Sequence, residues 1–491
     1  MRQEVFRMER VTYLDKGSKQ LEDFNLQIYR GEIMGMIPIS AHGLQALLQL
    51  MQTNMPLYDG HVYYCGERVN SWKSTRRSTN RIGVIDAHSR LVEHMTVSDN
   101  IFVLRQGFRQ NIIKNRLLQR QLAPFMEDIG VQIPADAYVD RLSAFERVTV
   151  ELLRAVVAGY RLIVLHEIST VINGDELAKL YEIMQHYAGQ GFSFLYISLH
   201  LEEIMEVCDR VALFSNGRIQ KVAQRAEMKS EIVQSYTIEF DKMVRYHMGQ
   251  RNAGKHEEKA VLSLSHISGE VLTDFTMEVY EGECLVVQNL DEQVLRDILS
   301  VLCGDRKPGE GALCLEGRVI RPASCKELAL ISADPTKTMV FQGMSYLDNL
   351  CMGLSRRVPG IWKNASMKNS VRKEYAESLG EDVFDMPVEA LGEKQKYQLV
   401  YTRVLLQKPK VVVCVQPFRG ADLTHRVFIW KMMEMLLDKG MAVVILTINL
   451  ADSMSLADRL IRVSKEGIVQ EVEKEAFGTL SVAAPWIDLY R

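Results

Sequence analysis

The side chains that could carry chemistry are scattered along this 491-residue chain. Its eight cysteines show no Cys-x-x-Cys pair and no zinc-finger spacing with histidine, so we interpret them as reduced thiols. The sequence also lacks a nucleophile elbow and a GxGxxG dinucleotide fingerprint. His166 could bind a metal ion, but a lone histidine at the end of an apolar run is more often structural. An enzyme built on any of these motifs therefore has little support.

An internal repeat at an offset of about 250 residues organises the chain. Three pairs of segments align in the same order: 20–36 with 271–287, 59–69 with 309–320, and 208–219 with 457–469. In the first pair, Gly31-Glu32 matches Gly282-Glu283 just before an apolar strand. The segment 250–259, QRNAGKHEEK, is polar and has no apolar periodicity, which predicts a linker. We therefore predict two similar domains, 1–249 and 260–491.

Four continuous apolar runs predict the strands of buried parallel sheets. They are rich in Val and Ile and too short for helices, and strands covered on both faces read in this way. The runs are Leu162–Leu165, Phe192–Ile197, Val411–Val415 and Ala442–Leu446. Each half has the order strand, helix, antiparallel hairpin, helical stretch, and then strands separated by helices. This pattern predicts an α/β fold in each half.

Composition and charge exclude several classes of protein. Hydrophobic residues make up 47% and charged residues 25%, which is typical of a soluble globular protein. The net charge of -3 does not favour a nucleic-acid partner, because such proteins are usually strongly basic. No run of 18 apolar residues occurs, and Met1–Arg10 carries alternating charges instead of an apolar signal core. We therefore expect a cytoplasmic protein.

The order of these landmarks resembles the ABC ATPase superfamily, and within it the tandem-cassette subunits of ribose, galactose and xylose importers. The resemblance covers nearly the whole chain. Its most specific fragments are RIGVIDAHSRLVEHMTVSDNIFV (81–103), YISLHLEEIMEVCDRVALFSNGRI (196–219), LQKPKVVVCVQP (406–417) and QPFRGAD (416–422). The resemblance implies two cassettes, each with a mostly parallel sheet of the P-loop type, an antiparallel subdomain and a helical subdomain.

In that family a loop of the form G-x-x-G-x-G-K-[ST] follows the first strand and holds the phosphates of ATP with backbone N–H groups. The matching segment here begins at Pro38 and keeps one of the glycines. The resemblance assigns the nucleotide-binding positions to Ser40, Gly43, Leu44, Gln45 and Ala46 in the first half, and to Asn289, Leu295 and Arg296 in the second. Leu44 stands at the lysine position and Gln45 at the Mg²⁺-binding hydroxyl position. In the second half, Asp291 and Glu292 would repel a phosphate.

The remaining family motifs are altered as well. The Asp-Glu-Pro that ends the second strand reads His166-Glu167-Ile168 in the first half and Val415-Gln416-Pro417 in the second. Only Glu167 keeps the catalytic side chain, and we interpret it as a relic. The signature Leu-Ser-Gly-Gly-Gln begins with Leu142 and Ser143 in the first half and with Leu391 and Gly392 in the second, and both copies lack the glycine pair. The magnesium-sensing glutamine corresponds to Ala87 and the switch histidine to Leu199 and Ile448, while the neighbouring His200 is predicted to be a surface residue.

One motif is better preserved. Arg419, Gly420 and Asp422 match the turn that links the two cassettes in the family, so we expect them to keep a role at the cassette interface.

Losing the lysine and two amide contacts costs roughly 5 kcal/mol, because a charge-assisted hydrogen bond contributes about 1.5–3 kcal/mol. That loss corresponds to about a thousandfold weaker binding. We therefore expect a non-hydrolysing pseudo-ATPase that acts as an adaptor or regulator and needs no cofactor. The alternative is a working subunit that binds and hydrolyses ATP with Mg²⁺ to drive sugar import.

The resemblance also implies partners and a location. These are permease subunits at the inner face of the cell membrane and, indirectly, a sugar-binding protein. Docking would use the helical regions, roughly 88–140 and 338–390. Under the adaptor hypothesis, a regulatory protein is a further partner.

Overall fold

The chain forms two α/β units in this computed structural model. The structure describes residues 3–15, 17–70, 80–103, 115–227, 260–289, 292–307, 311–354, 364–450 and 453–479. The described residues from 3 to 227 together with Asp422–Thr424 form one unit, and those from 260 to 421 together with 425–479 form the other. The predicted linker, 250–259, lies outside the described residues, so its boundaries remain a prediction.

The first half of the chain contains the following strands and helices among its described residues. The strands are β1 (Glu4–Asp15), β2 (Ser18–Tyr29), β3 (Ile33–Pro38), β4 (Asp59–Tyr64), β5 (Glu67–Arg68), β6 (Ile82–Asp86), β7 (Leu162–His166), β8 (Ser193–Ile197), β9 (Arg210–Ser215) and β10 (Arg218–Gln224). The helices are α1 (Leu44–Gln52), α2 (Asn115–Asp128), α3 (Ala144–Val157), α4 (Gly174–Gly189) and α5 (Leu201–Val207).

The second half repeats this order. Its strands are β11 (Ala260–Ile267), β12 (Phe275–Tyr280), β13 (Cys284–Asn289), β14 (Ala312–Leu315), β15 (Arg318–Val319), β16 (Leu328–Ile331), β17 (Val411–Val415), β18 (Ala442–Thr447), β19 (Arg459–Ser464) and β20 (Gly467–Glu473). Its helices are α6 (Glu292–Cys303), α7 (Pro335–Thr338), α8 (Tyr346–Leu350), α9 (Asn364–Leu379), α10 (Glu393–Gln407) and α11 (Leu423–Asp438).

Each half has one mostly parallel sheet of six strands and one antiparallel sheet of four. The large sheets have the orders β10-β9-β3-β8-β7-β6 and β20-β19-β13-β18-β17-β16, and only their β9–β10 and β19–β20 pairs are antiparallel. The small sheets have the orders β2-β1-β4-β5 and β12-β11-β14-β15. The predicted α/β fold with two repeated, cassette-like halves is therefore confirmed, and all four predicted apolar runs form parallel strands.

Apolar residues cover both faces of the large sheet in the first half. Alternate residues of β7 belong to different clusters: Ile163 packs with α3 and α4, whereas Val164 packs with α1 and the antiparallel sheet. A strand buried on both faces needs apolar residues at every position, which explains the continuous run in the sequence.

The repeated Gly-Glu motif anchors a buried ion pair. In the first half, Arg210 donates to both carboxylate oxygens of Glu32, which also accepts the Tyr29 N–H at 2.7 Å. The side chains of Glu32 and Arg210 are 5% and 14% exposed. Asp209 accepts the Ile33 N–H at 2.9 Å, so the Asp-Arg pair at the start of β9 holds the start of β3.

The second half contains the same ion pair. Arg459 donates to Glu283 at 2.7 Å and 3.2 Å, and Glu283 accepts the Tyr280 N–H at 2.8 Å. Asp458 accepts the Cys284 N–H at 2.9 Å. The sequence repeats Gly-Glu and Asp-Arg for this structural reason, and neither motif belongs to the predicted nucleotide site.

Candidate functional site

Three neighbouring parallel strands bring several predicted site residues to one sheet edge in the first half. The order β3-β8-β7 places the ends of these strands side by side. The phosphate-loop segment follows β3, Glu167 follows β7, and the switch position Leu199 follows β8. Ligands commonly bind beyond the carboxyl ends of strands in such sheets. The predicted constellation is therefore assembled, although its side chains differ from those of the family.

The backbone of the phosphate-loop segment is occupied by internal hydrogen bonds. The Ile39 N–H donates to Phe214 O at 2.8 Å, and the Leu44 N–H donates to Ala41 O at 3.0 Å. The His42 N–H donates to Ser40 Oγ at 3.3 Å, and Gly217 N–H donates to His42 O at 3.1 Å. Three N–H groups of the segment, those of Ile39, His42 and Leu44, are thus used within the protein.

The surviving glycine of this segment has a packing role. Gly43 has φ 86°, a left-handed conformation that side chains disfavour, and a Cβ there would lie 2.1 Å from Gln20 O. The neighbouring β9–β10 turn approaches the same carbonyl, with Gly217 Cα 3.0 Å from that Cβ position. Close contact with β2 therefore explains Gly43 without any phosphate.

The side chains at the start of α1 face the core or the solvent. Leu44, at the family's lysine position, is 7% exposed and packs in the cluster between the large sheet and the antiparallel sheet. Ala46 is buried with it, whereas Gln45 is exposed. A side chain at position 44 is thus directed into apolar packing.

The equivalent segment of the second half is also altered. Asn289 is fully buried and donates to Val287 O at 3.3 Å. Leu295 packs in the core and Arg296 is exposed. Glu292 lies in the first turn of α6, where a negative charge interacts favourably with the helix dipole, and Asp291 lies outside the described residues.

The residue that follows β7 in the first half and the residue that follows β17 in the second half share an unusual backbone conformation. Glu167 has φ 53° and Gln416 has φ 41°, and each N–H donates to the neighbouring strand, at Ile197 O and Leu446 O. Non-glycine residues in this left-handed region cost free energy and often occur at functional sites. The fold thus keeps this backbone even where Gln416 has replaced the catalytic acid.

Asp86 is a site residue that the sequence analysis missed. It ends β6, is the register partner of His166, and its Oδ2 lies 3.5 Å from His166 Nδ1. The signal that could have identified it was an acid at the end of an apolar run, immediately before Ala87.

Glu151 on α3 was also missed. It is buried and accepts hydrogen bonds from Ser89 Oγ at 2.6 Å and from Arg90 N–H at 2.8 Å. Burial raises the pKa of Glu151 despite these bonds. Through these bonds Glu151 holds the segment that follows β6. Nothing in the sequence around Glu151, which lies within an apolar helix, indicates this role.

The signature segments form helix caps. Ser143 precedes α3, its Oγ accepts the Glu146 N–H at 3.2 Å, and its own N–H donates to the Glu146 carboxylate at 2.8 Å. Gly392 precedes α10 and its N–H donates to the Gln395 side chain at 2.9 Å. Leu142 and Leu391 are buried beneath these caps. The two segments therefore serve local helix capping.

The switch positions are apolar and buried, with Leu199 at 5% and Ile448 at 3% exposure. The prediction that His200 lies on the surface was wrong, because this residue is 2% exposed. Strand β8 ends at Ile197, and His200 is the residue that precedes α5, where its side chain is buried.

The predicted interface turn has a defined local structure. Arg419 donates to the Gln416 side chain at 3.1 Å, and Gly420 has φ 68°. Asp422 is 8% exposed and is grouped by its contacts with the first unit, whereas Arg419 and Gly420 belong to the second. A role at the cassette interface remains a prediction.

No group of three or more His, Cys, Asp or Glu side chains suited to a metal ion occurs among the residues that the structure describes. Within the same part of the chain, no helix is long and apolar enough to cross a membrane.

Comparisons with known proteins show which proteins the chain resembles. Residues 21–170 match the ABC transporter family. The chain is 23% identical to a ribose import ATP-binding protein of Rhizobium etli, with 96% of this chain and 94% of that protein covered. It is also 23% identical to a xylose import ATP-binding protein of Geobacillus kaustophilus, covering 96% and 97%. A galactofuranose transporter ATP-binding protein of Escherichia coli O157:H7 is 21% identical, covering 96% of each chain.

A solved structure of an ATP-binding cassette of an ABC transporter, in its ADP conformation, matches 48% of this chain and 97% of its own with a TM-score of 0.42 and 16% identity. The matched domain and the full-length relatives agree: residues 21–170 match the ABC transporter family, and the chain, whose second half repeats the fold of the first, is similar over nearly its whole length to sugar-import ATP-binding proteins.

Proposed function

We propose that this protein is a pseudo-ATPase of a sugar-import type ABC system, which keeps the cassette fold to bind partner proteins and does not hydrolyse ATP. The relatives named for ribose, xylose and galactofuranose import support the broad assignment to such a system. The altered phosphate-loop and signature segments support the loss of ATP hydrolysis.

The observation that carries the proposal is the phosphate-loop segment of the first half. Its Ile39, His42 and Leu44 N–H groups have acceptors within the protein, and Leu44 points into the core. A phosphate there would have to break these bonds and would find no lysine. Each charge-assisted bond that fails to form costs about 1.5–3 kcal/mol in binding.

The signature segment of the first half supports the same conclusion. The N-terminus of a helix attracts anions through its free N–H groups and its dipole. At α3 the Glu146 carboxylate already fills this position by accepting the Ser143 N–H. A γ-phosphate would meet a negative charge there, and the two anions would repel each other.

Partner binding is supported by two exposed apolar side chains at equivalent positions of the two halves. Val92 and Phe341 are 45% and 47% exposed. Each follows a sheet-edge strand and is held by a buried asparagine that accepts its N–H at 2.8 Å: Asn100 for Val92 and Asn349 for Phe341. Both lie in the helical regions for which the family resemblance implies permease docking. We therefore place the protein at the inner face of the cell membrane, recruited by a permease.

One observation favours the alternative, a working ATP-binding subunit that uses Mg²⁺. Glu167 keeps the side chain of a catalytic base and the left-handed backbone at the strand end. A base accelerates hydrolysis only when it reaches a water positioned beside a bound phosphate, so Glu167 needs a nucleotide to act.

The decisive test is ATP turnover by the purified full-length chain. We expect hydrolysis at background rate, weak or no binding of MgATP, and no effect of Glu167→Gln on either measurement. Binding of MgATP at micromolar affinity, together with turnover that Glu167→Gln abolishes, would establish the alternative.

Recruitment is tested separately. Co-expression with a permease of a sugar-import system is expected to move the protein from the soluble to the membrane fraction. If the chain stayed soluble under these conditions, the docking part of the proposal would be rejected.

A further inference from the structure

A histidine and an aspartate meet at the carboxyl edge of the first sheet. His166 ends β7 and Asp86 ends β6, and the two are register partners on adjacent parallel strands. Their closest atoms, His166 Nδ1 and Asp86 Oδ2, are 3.5 Å apart. The side chains are only 15% and 29% exposed, so solvent screens their attraction less than at the surface.

Two other charged groups act on this pair. Glu167 follows His166 in the chain and is fixed by its N–H bond to Ile197 O, and its charge favours a protonated His166. His88, two residues beyond Asp86, adds positive charge near that carboxylate. The third neighbouring strand, β8, presents the apolar Ile197 opposite His166. The charges of two carboxylates therefore act on one imidazole.

We infer that His166 and Asp86 form a proton-operated contact, in which an imidazolium neutralises the two carboxylates at the edge of a site that no longer binds metal and nucleotide. This inference deepens the proposed function, because it assigns regulation by protons to the altered site. Protonated, His166 holds the ends of β6 and β7 together. Deprotonated, it leaves Asp86 and Glu167 without their counter-charge, and this sheet edge is less stable.

The direction of the pH response follows from the same geometry. Burial alone lowers the pKa of His166, but attraction to Asp86 and Glu167 outweighs it, and the pKa lies above the ordinary 6.5. Burial alone would raise the pKa of Asp86, but the electrostatic attraction to His166 outweighs it and the pKa is lowered. When folding raises the pKa of a histidine, the added stability is fully present at a pH below the pKa of the unfolded protein. It is lost as the pH rises through the pKa of the folded protein.

The test compares thermal unfolding midpoints of the full chain and of His166→Asn from pH 5.5 to 8.5. At low pH we expect the wild type to unfold about 2–4 °C higher, a shift that corresponds to about 1 kcal/mol in a domain of this size. The difference should vanish at high pH. Asp86→Asn should reduce this pH-dependent difference, because Glu167 alone then supplies the counter-charge, and adding His166→Asn to it should produce a smaller pH-dependent change than in the wild type.

A matched control is His186→Asn. His186 also contacts an aspartate, Asp128, at 2.8 Å, but the side chains of this pair are 36% and 40% exposed. Exposed pairs contribute little, so the pH-dependent shift should be clearly smaller. A His166→Asn difference that is constant with pH, or one that is undiminished in the Asp86→Asn background, would overturn the inference. If His166→Asn does not fold, the unfolding midpoints of the wild type and of Asp86→Asn are compared across the same pH range. A difference between them that is constant with pH would then overturn the inference.

Adding MgATP to the wild type at a fixed pH distinguishes this inference from the proposed function. A rise in the midpoint with micromolar MgATP would contradict the weak nucleotide binding expected under the proposed function, whatever the pH series shows. A flat response to MgATP together with no His166-dependent pH effect would reject only the inference made here.

Discussion

At the scale of single residues, the direction of a side chain decides what a substitution means. Leu44 and Gln45 are neighbours on α1, and the family resemblance assigns them to the lysine position and the Mg²⁺-binding hydroxyl position. Leu44 is 7% exposed, whereas Gln45 is exposed. Leu44 therefore has a packing role, and replacing it with the lysine of the family would disturb that packing. Gln45 is exposed and has no such role.

We predict that Leu44→Lys does not restore nucleotide binding and instead destabilises the protein. Removing the apolar side chain and burying an ammonium group should cost about 2–5 kcal/mol, the range for losses in a packed core. The matched control is Gln45→Lys on the same helix, which should change stability by less than about 0.5 kcal/mol. Urea unfolding and binding of a fluorescent ATP analogue measure the two effects. A stable Leu44→Lys variant that binds the analogue would show that the loop can reopen.

Asp297 shows how a buried acid can fold a turn instead of serving a site. It lies on α6, is 6% exposed, and accepts the Val271 and Leu272 N–H groups at 2.8 and 3.0 Å. A Cβ at Gly269 would lie 2.1 Å from its carboxyl carbon, so only glycine fits there. Burial opposes ionisation, but the backbone hydrogen bonds outweigh it and lower the pKa of Asp297.

When folding lowers the pKa of a carboxylate, the added stability is present at a pH above the pKa of the unfolded protein. It is lost as the pH falls through the pKa of the folded protein. We therefore expect Asp297→Asn to destabilise the protein at neutral pH, with a smaller difference from wild type at pH below about 4. Unfolding midpoints in urea across this range measure it. A difference that grew on acidification would contradict the assigned sign.

At the scale of elements, a repeated ion pair fixes the first strand of each large sheet. Glu32 with Arg210 and Glu283 with Arg459 join the segment before that strand to the next parallel strand. Both arginines also lie over a tyrosine ring, at 5.0 Å for Tyr29 and 5.2 Å for Tyr280. A buried pair of this kind matters most when one partner is lost, because the other charge is left uncompensated.

We predict that Glu283→Gln destabilises the protein by about 3–5 kcal/mol, and that Glu32→Gln has a similar effect. Calorimetry or urea unfolding measures the loss. The control is Glu22→Gln, which breaks the exposed contact with Lys19 and should change stability little. Equal effects of Glu22→Gln and Glu283→Gln would show that burial does not control the strength of these pairs.

At the scale of the whole molecule, duplication has kept the scaffold while the two sites changed differently. The first half retains Glu167 and has gained the His166–Asp86 contact, whereas the second has Gln416 in place of the acid. Both halves keep the ion pair, the asparagine-held loop and one exposed apolar residue on that loop. The features shared by both halves therefore support folding and partner binding more than hydrolysis.

We predict that Phe341→Glu and Val92→Glu weaken recruitment by the permease without unfolding the chain, because both side chains are about half exposed. Membrane fractionation with co-expressed permease measures recruitment, and circular dichroism checks the fold. Val319→Glu is the matched control, since Val319 is 75% exposed but lies on β15 of the antiparallel sheet. Recruitment that all three variants reduced equally would indicate a general effect of charge.

The sequence by itself determined the two-fold repeat, the α/β class and the strands of the parallel sheets. These follow from patterns that local physics imposes, since a strand such as Val411–Val415 must be apolar at every position when both its faces are covered. Family resemblance then located the altered motifs residue by residue.

Only the tertiary structure decided what those residues now do. Leu44 packs in the core, Gly43 accommodates the Gln20 carbonyl, and Glu146 caps its own helix. These roles depend on contacts between distant segments or on the direction of a side chain. The same reason explains the wrong prediction for His200 and the missed pairing of Asp86 with His166. The two residues are 80 positions apart, and they become neighbours only because β6 and β7 lie side by side in the sheet.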